Sequence, residues 1–445
     1  MKRIDMPENA NRIIHTLQDA GYEAYIVGGC VRDAVLGKEP DDWDITTSAK
    51  PMEVKSLFDR TIDTGLLHGT VTVMFGREGY EVTTYRVDGK YEDHRRPNSV
   101  TFTGNLIEDM KRRDFTINAM AYNDDDGIVD HFHGIKDLDA HIIRCVGEPS
   151  ERFDEDALRI LRALRFSAQL DFEIDERTKE AIRNQAQYLK DISAERIAVE
   201  LTKLLMSDNP ERLVTAYELG VTKIVLPEFD TMMETPQVNK HHAYNVGEHT
   251  VRVIKEVPKD KALRWAALLH DVAKPLTHTN DGVSDHFYGH NEKGVEIAGR
   301  VLKRLKFDNA TIDRVKRLVY WHDYGMKEMP KIRSFRRALN KMGADLFEDF
   351  AYIKRADILA QSDYKRSEKL EKLEGLKEYY REIVEKKQCV TVKELAVTGK
   401  DLIAMGMEPG PGIGEVLNKL LDRVLDEPEL NEREKLMEIA KEYVH

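Results

Sequence analysis

Cysteine is scarce in this sequence and widely scattered. The three cysteines, Cys30, Cys145 and Cys389, form no C-x-x-C pair, which excludes a zinc site built from cysteines and indicates a reducing compartment. No apolar run approaches the length that crosses a membrane, and the N-terminal stretch MKRIDMPENA has no apolar signal-peptide segment. From these absences we expect a cytoplasmic location and no membrane partner.

Net positive charge is also lacking overall, although the charge is unevenly distributed. The formal net charge is −12, which argues weakly against a nucleic-acid partner. Residues 300–342, however, contain 13 Lys/Arg and 4 Asp/Glu, a net charge of +9 that leaves −21 for the remainder. Such asymmetry is typical of a surface that contacts phosphates, and a solvated basic helix face is the alternative.

The order of apolar patterns predicts the fold class and the domains. Three or four domains are expected for 445 residues. Short β runs alternate with helices up to residue 145, and the pattern after that is almost wholly helical. We expect an α+β protein in which a small mixed sheet with helices precedes all-α regions. The predicted domains cover residues 1–145, 146–230, 231–365 and 366–445.

The most informative segment is YIVGGCVRDAVLGKEPDDWDITT, residues 25–47. Asp42 and Asp44 stand at the start of a predicted short strand, where residues i and i+2 share a face about 6–7 Å apart. Two such carboxylates can share two divalent ions about 3.5–4 Å apart, which is the arrangement for nucleotidyl transfer. Glu81, on a strand expected next in the sheet, is the candidate third carboxylate, and a solvent-facing glutamate is the alternative.

The residues before this carboxylate pair predict an anion site. Residues 25–27 indicate a buried strand, Gly28 and Gly29 a turn, and residues 30–36 a helix that carries Arg32 and Asp33. Free backbone N–H groups at a helix start suit a triphosphate. A simple turn would explain the glycines alone, so the order and spacing of the whole segment carry the interpretation.

Two further motifs have polar groups that suit a nucleotide. In LIEDMKRRDFTINAMAY, Asp114 and Asn118 lie four residues apart and can bind a ribose hydroxyl, while Arg112 and Arg113 can meet phosphates. A capped helix start with a surface ion pair is the alternative. FDEDALRILRALRFSAQL, residues 153–170, predicts one amphipathic helix with a core stripe of leucines and with Arg159, Arg162 and Arg165 at threefold spacing.

Asp156 and Arg159 of the second motif can read a base. Cytosine and adenine present an amino donor beside a ring-nitrogen acceptor, and uracil and guanine present the reverse pattern. A carboxylate beside a guanidinium therefore accepts C and A and rejects U and G, because the wrong base leaves buried polar groups unpaired. A salt bridge on the helix surface is the ordinary alternative for such a pair.

Four motifs in order, GGCVRD with DDWD, RRDFTINAMAY, EDALRILRALRF and AERIAVELTKLL, resemble those of the bacterial class II CCA-adding tRNA nucleotidyltransferases. These enzymes belong to the DNA polymerase β-like superfamily, and the resemblance covers about the first 210 residues. It implies a nucleotidyltransferase head over residues 1–145, a helical neck over 146–230 for nucleobase and RNA, and a tRNA-binding tail over 366–445.

The resemblance also implies a reaction. Asp42 and Asp44 would hold two Mg²⁺ while the 3′-hydroxyl of tRNA attacks CTP or ATP and pyrophosphate leaves. Asp114 and Asn118 would bind the ribose, and Asp156 with Arg159 would be the protein template for C and A. Residues 85–97 resemble the family's flexible loop, which favours full CCA addition. An A-adding enzyme or a poly(A) polymerase is the alternative within the class.

A second set of motifs, H…HD…H…H…D, begins at residue 245 and is similar to the HD metal-dependent phosphohydrolases. Its members are His249, His270, Asp271, His290, His322 and Asp357. Such residues can surround one or two divalent ions, which implies an HD domain over residues 231–365 with a second, hydrolytic activity. A retained helical domain that supports the tRNA is the alternative.

The tail and the rival functions complete the expectations. Residues 397–425 predict two helices joined by a Pro/Gly turn, with Gly412 and Gly414 at the start of the second helix. They resemble the part of the family that grips the tRNA elbow, and a packed helical hairpin is the alternative. A phosphohydrolase whose N-terminal half only binds nucleotide, and a non-catalytic RNA-binding module, are less favoured because both the DDWD and the RRD motifs are intact.

Overall fold

The structure, a computed structural model, describes residues 3–89, 99–238, 240–241, 243–325 and 328–443. The chain divides into two compact units at Pro227 and Glu228, close to one of the expected domain boundaries. Within the described ranges, none of the helices combines the length and apolarity needed to cross a membrane.

The first unit contains a mixed sheet. The strands of this unit are β1 (Ala24–Val27), β2 (Ile45–Thr47), β3 (Thr61–Gly65), β4 (Thr70–Phe75), β5 (Glu78–Thr84), β6 (Arg86–Asp88), β7 (Val100–Phe102), β8 (Ala121–Asn123), β9 (Gly127–Val129), β10 (Ile142–Ile143) and β11 (Glu173–Ile174). Seven of them form one sheet in the order β3-β4-β5-β2-β1-β8-β9. Strand β2 pairs antiparallel with β1 and parallel with β5, and β4 and β5 form an antiparallel hairpin.

Helices cover this sheet and then form the rest of the first unit, as expected for an α+β fold. The first helix is amphipathic, and Ile13, Ile14 and Leu17 lie in the core. The helices are α1 (Glu8–Asp19), α2 (Gly29–Val35), α3 (Pro51–Leu57), α4 (Leu106–Lys111), α5 (Gly134–Asp139), α6 (Pro149–Glu155), α7 (Leu158–Leu170), α8 (Glu176–Gln185), α9 (Ala194–Leu205), α10 (Arg212–Glu218) and α11 (Thr222–Val225).

The single helix predicted for residues 153–170 is wrong, because the chain leaves the helical conformation at Asp156. This residue has extended backbone angles, φ −141° and ψ 102°, and ends α6. Its side chain accepts a hydrogen bond from Leu158 N at 3.1 Å, which favours a new helix start at that point. The predicted core stripe is confirmed, since Leu158, Leu161 and Leu164 are buried.

In its described residues the second unit is helical apart from one short hairpin and the connecting segments. Its strands are β12 (Thr279–Asn280) and β13 (Asp285–His286). Helix α12 begins at the boundary of the two units, and the helices are α12 (Pro227–Met233), α13 (Val246–Glu256), α14 (Lys261–Leu269), α15 (Lys274–Thr277), α16 (His290–Arg304), α17 (Asn309–Trp321), α18 (Ile332–Met342), α19 (Phe347–Ala360), α20 (Arg366–Glu385), α21 (Gly399–Ala404), α22 (Pro411–Asp426) and α23 (Arg433–Ala440).

Short 3₁₀ segments connect several of these elements in both units. They are Leu66–His68, Thr116–Asn118, Ala186–Asp191, Ala344–Leu346, Val392–Glu394 and Pro428–Leu430. The tail forms the expected helical hairpin from α21 and α22, and Gly412 and Gly414 lie in the first turn of α22. A phosphate site at that turn stays a prediction.

Many arginines of the basic segment 300–342 pair with carboxylates. Arg304 makes two hydrogen bonds to Glu228, at 2.8 and 2.7 Å, and Arg337 makes two to Asp426, both at 3.0 Å. Arg314 bonds to Asp349 at 2.6 Å. The positive charge seen along the sequence is therefore partly balanced in the fold, which weakens the case for an open phosphate-binding surface here.

Candidate active site

A cavity of about 580 Å³ in the first unit brings the nucleotide motifs together. It is lined by every residue that the sequence assigned to nucleotide binding and by all three aspartates of the DDWD motif. Among these are Gly28, Gly29, Arg32, Asp33, Asp42, Asp44, Arg113, Asp114, Asn118, Asp156, Arg159, Arg162 and Arg165.

The Gly28–Gly29 turn joins β1 to α2 at the wall of this cavity. Gly28 has φ +85°, and a Cβ there would lie 3.0 Å from Arg113 Nη1, so a side chain would be strained and would crowd the arginine. Helix α2 begins at Gly29 without a side-chain cap on its first N–H groups. The turn thus leaves backbone close to the cavity, as the anion-site prediction requires.

The acidic residues lie side by side at one end of the central strands. Asp42 and Asp44 precede β2 rather than lying within it, although Asp44 O still accepts from Val27 N at 3.0 Å and so extends the pairing with β1. On the other side, Ile45 is opposite Val82 in the parallel β2–β5 pair. Because the strands are parallel, the preceding residues correspond as well, and Glu81 lies beside Asp44 on the neighbouring strand.

These carboxylates are close enough to influence one another's pKa values. The pKa of Asp44 is raised because the surrounding protein limits its hydration; Arg113 opposes this shift and Asp42 adds to it. The pKa of Glu81 is raised by restricted hydration and then by the charges of Asp44 and Asp42. Like charges gathered in this way favour the binding of a divalent cation. The donor set therefore fits hard divalent ions.

Asp114 is the centre of a buried hydrogen-bond network. Its carboxylate accepts from Asn118 Nδ2 at 3.1 Å and from Arg162 Nε at 2.7 Å, and Asn118 Oδ1 accepts from Arg32 Nη1 at 2.8 Å. Burial opposes ionisation, but Arg162 and Asn118 hold the pKa of Asp114 at about 2. Asp114 and Asn118 meet across a turn and a 3₁₀ segment, not on one α-helix.

Asp156 and Arg159 both line the cavity, but they make hydrogen bonds to different residues. Asp156 accepts from Arg196 Nη2 at 2.9 Å, and Arg159 donates to Glu155 at 2.7 Å and to Arg112 O at 2.8 Å. The surface salt bridge between Asp156 and Arg159, the ordinary alternative, is therefore wrong for this fold. Their role in reading a base stays a prediction.

Several residues of the site were missed by sequence reasoning. Arg196 lines the cavity beside Arg112, which the sequence had already assigned to phosphates, and so does Phe166, whose ring lies 4.1 Å from the Arg165 guanidinium. Asp109 is fully buried and bonds Arg112 at 2.7 Å. The RRD and AER motifs contain two of these arginines, but neither motif shows where their side chains point. Of the flexible-loop motif at 85–97, residues 90–97 lie outside the described part of the chain.

The HD motif residues meet in a buried cluster in the second unit. His249 Nε2 lies 3.0 Å from Asp357 Oδ1 and 3.7 Å from Asp271 Oδ2. His270 Nε2 lies 3.1 Å from Asp271 Oδ2 and 4.0 Å from Asp357 Oδ1. These four residues are at most 3% exposed, and their side chains form one group of nitrogen and oxygen atoms directed at a common point.

The other oxygen of Asp271 faces a second group. His290 Nε2 and His322 Nε2 lie 3.5 and 3.6 Å from Asp271 Oδ1 and 3.2 Å from each other. Asp271 thus belongs to two groups of ligand atoms. Within each group, all the atoms lie within 4.8 Å of one another. Despite its burial, the pKa of Asp271 is lowered, chiefly by His270 and Lys274.

Backbone carbonyls orient the imidazoles of this cluster. The Nδ1 atoms of His270, His290 and His322 lie 2.7, 2.8 and 2.7 Å from the carbonyl oxygens of Ala267, Phe287 and Val319. Because a carbonyl can only accept, each Nδ1 donates and each Nε2 is left to face the carboxylates. This is the arrangement of histidines that bind a metal through Nε2, so the cluster fits one or two divalent ions.

Three models of known protein families match parts of the chain. Residues 24–144 match a family model described as the poly A polymerase head domain. Residues 171–233 match one described as "Probable RNA and SrmB-binding site of polymerase A". Residues 291–440 match one for domain 2 of tRNA nucleotidyltransferases.

Relatives match over nearly the whole chain. The CCA-adding enzyme of Lactobacillus helveticus is 36% identical over 93% of this chain and 91% of its own length. That of Lacticaseibacillus paracasei is 37% identical over 97% and 95%. The crystal structure of the Bacillus stearothermophilus CCA-adding enzyme in complex with CTP has a TM-score of 0.73, with 30% identity and 98% of each chain covered.

The Asp114 network generates a prediction about stability and pH. Arg162→Met should destabilise the first unit by about 1–3 kcal/mol at pH 7, because a buried carboxylate loses its charged donor. In the wild type the contribution of Asp114 is present above the unfolded pKa of about 3.9 and is lost as the pH falls through about 2. The difference in melting temperature between variant and wild type should therefore shrink as the pH falls below about 4.

Arg177→Met is the matched control for this prediction. Arg177 also pairs with a carboxylate, Glu148, but both side chains are more than half exposed, so its removal should change stability by less than about 1 kcal/mol. Calorimetric melts of the three proteins at pH 7 and pH 3 measure the effect. An Arg162→Met variant that melts like the control would contradict the proposed burial of charge at Asp114.

Proposed function

The chain belongs to the family of CCA-adding enzymes, and on that basis we propose that the cavity of the first unit is where it adds C, C and A to the 3′ end of tRNA from CTP and ATP. The observation that carries this proposal is the convergence of the DDWD aspartates, the Asp114 network and the Asp156 region on one cavity. Pyrophosphate is the second product, and we expect the reaction to take place in the cytoplasm.

Asp42, Asp44 and Glu81 would hold divalent ions, for which Mg²⁺ is the expected choice. Such ions would activate the 3′-hydroxyl of the RNA and stabilise the leaving pyrophosphate. The carboxylates would supply the negative charge that attracts them. The pKa values of Asp44 and Glu81 are raised first by restricted hydration and then by neighbouring aspartates, a cost that bound cations would relieve. Glu81 enters this set through its register beside Asp44.

The arginines and the Asp114–Asn118 pair would bind the nucleotide. The triphosphate would lie against the Gly28–Gly29 turn with Arg32 and Arg113 near it, because guanidinium groups and free N–H groups both favour phosphate oxygens. Asp114 and Asn118 are held rigidly by their network, which positions them for the ribose hydroxyls.

Asp156 and Arg159 would select the base. The carboxylate of Asp156 can accept from the amino group of C or A, and Arg159 can donate to a ring nitrogen. The break between α6 and α7 supports this role, because it turns Asp156 out of the helix and toward the cavity wall, where Arg196 holds it. The same residues would serve for both C and A.

The domain roles complete the proposal. Residues 1–145 would be the nucleotidyltransferase head, and residues 146–230 the neck that carries the base-selecting residues. The helical tail, residues 366–445, would contact the tRNA elbow. The match of residues 291–440 to a tRNA nucleotidyltransferase model supports an RNA-related role for that part of the chain.

The function is tested by single-turnover extension of a tRNA that ends at the discriminator base. Two additions with CTP, and a third only when ATP is present, are expected. Asp42→Ala should abolish extension, because the ions lose a ligand, while tRNA binding persists. Asp63→Ala, an exposed carboxylate of the same sheet that pairs with Lys55, is the control and should extend normally. Addition of A alone, or long A tails, would identify an A-adding or poly(A) enzyme.

Base selection has its own prediction. Arg159→Ala should reduce the preference for CTP over UTP and for ATP over GTP by about tenfold or more, since a bidentate contact is worth about 1–3 kcal/mol of discrimination. Competition between paired nucleotides during one round of addition measures the ratio. A variant that adds more slowly with unchanged selectivity would show that Arg159 has a structural role only.

A second candidate function follows from the buried cluster of the second unit. His249, His270, Asp271 and Asp357 would hold one divalent ion, and Asp271, His290 and His322 a second one. When bound, such ions would activate a water for phosphoester hydrolysis. The specific observation in favour is that the Nδ1 donors leave Nε2 atoms facing Asp271 from both sides. An adjoining cavity of about 760 Å³, lined by five lysines, suits a phosphorylated substrate.

Asp271→Ala should separate the two functions. Because this carboxylate bridges both groups of ligand atoms, its loss should remove metal binding in the second unit and any metal-dependent phosphohydrolase activity, while nucleotide addition continues. Hydrolysis of a generic phosphate ester with added Mn²⁺, Co²⁺ or Ni²⁺ is the measurement, beside the extension assay. Loss of nucleotide addition as well would show that the cluster is not a separate catalytic unit.

A further inference from the structure

Asp271 and Asp357 of the buried cluster each have a lysine and a glutamine close by. The residue that contacts the carboxylate directly is the lysine at Asp271 and the glutamine at Asp357. At Asp271 the lysine is the direct neighbour, since Lys274 Nζ lies 2.7 Å from Oδ2 and also donates to Gln237 Oε1 at 2.8 Å. At Asp357 the glutamine is the direct neighbour. The two arrangements give the carboxylates different constraints.

The amide of Gln361 grips Asp357 from behind. Its Nε2 lies 3.0 Å from both carboxylate oxygens, and its Oε1 accepts from Lys369 Nζ at 2.6 Å. All three side chains belong to buried residues, at most 7% exposed. Because a lysine can only donate, it requires the amide oxygen on its own side and the amide N–H₂ on the side of Asp357. Lys369 therefore determines which way the amide points.

The consequence concerns the front of Asp357. Its Oδ1 lies 3.0 Å from His249 Nε2 and 4.0 Å from His270 Nε2. With hydrogen bonds to both oxygens, the carboxylate is hindered from rotating and keeps that oxygen toward the imidazoles. An amide turned the other way would place its oxygen against the carboxylate, which is a repulsive contact in a buried site.

We infer, on the premise that the cluster binds metal as proposed above, that Gln361 held by Lys369 is a positioning residue for the ion at His249, His270, Asp271 and Asp357. Outer hydrogen bonds of this kind commonly change metal affinity by about 10–100-fold. The second group of ligand atoms consists of Asp271, His290 and His322. The effect should therefore fall on one of two ions.

A matched control lies one turn further along α20. Lys372, like Lys369, lines the cavity of about 760 Å³. Its Nζ, however, donates to Glu368 Oε1 at 2.9 Å. Lys372→Met therefore removes the same charge from the same cavity without removing the donor to Gln361.

The experiment is a Co²⁺ titration of the full-length protein, followed by visible absorbance and by equilibrium dialysis. The signal of Asp271→Ala is subtracted to remove ions bound elsewhere. Gln361→Met keeps the side-chain volume but removes the amide donors. It should lower the affinity for one Co²⁺ ion by about 10–100-fold and change the absorbance of that ion, while the affinity for the second ion stays the same. Lys369→Met should shift the affinity in the same direction, Lys369→Arg should restore it, and Lys372→Met should match wild type. Calorimetric melting of each variant checks its folding.

Different failures are distinguishable. A wild type that binds no more Co²⁺ than Asp271→Ala does overturns the proposed metal centre itself. Wild-type binding that Gln361→Met leaves unchanged, or weakens equally for both ions, overturns the positioning role. If Gln361→Met does not fold, the two Lys369 variants test the inference. A Co²⁺ affinity of Lys369→Arg as low as that of Lys369→Met overturns it, and an affinity restored to the wild-type value supports it.

Discussion

Strand β2 is only three residues long, yet its pairing determines the geometry of the first site. It is held by backbone hydrogen bonds to β1 on one side and β5 on the other. These ladders place the carboxylates at its start beside Glu81 and next to the Gly28–Gly29 turn. The pKa values of Asp44 and Glu81 are raised first by restricted hydration and then by the charges of neighbouring aspartates. Stability is thereby reduced at the place where cations are needed.

Arginines along the cavity partly balance the negative charge of its aspartates. The Asp114–Arg162 and Asp156–Arg196 pairs lie along the same cavity and orient their acids, while Arg113 faces the DDWD pair. The result is an open, charged cavity in which an anionic nucleotide and divalent cations can both be bound. In the second unit the negative charge of the acidic residues is compensated in another way. There the acids are buried, Lys274 contacts Asp271, and carbonyl groups fix the imidazoles that face it.

Much of this arrangement could be predicted from local patterns. The hairpin of β4 and β5, the glycine turn and the leucine stripe of α7 follow from spacing and residue type, and the members of the HD cluster follow from the resemblance of their ordered motif to a known family. The break at Asp156 could not be predicted from periodicity, because the apolar stripe continues through it while the side chain of Asp156 begins a new helix. The basic segment also looked more exposed than it is, since its acidic partners come from distant positions such as Glu228 and Asp426.

The sequence by itself determined the chemistry that is available: paired aspartates after a glycine turn, arginines at helical spacing, and an ordered set of histidines and aspartates. Their spacing is a local property, and local propensities and turn geometry act on it directly. Only the tertiary structure decided which groups meet. Arg196 reaches Asp156 across 40 residues, Glu81 reaches Asp44 through strand register, and Lys369 reaches Gln361 from the next helix. Such contacts depend on packing between elements, because side-chain direction is settled only when the elements come together.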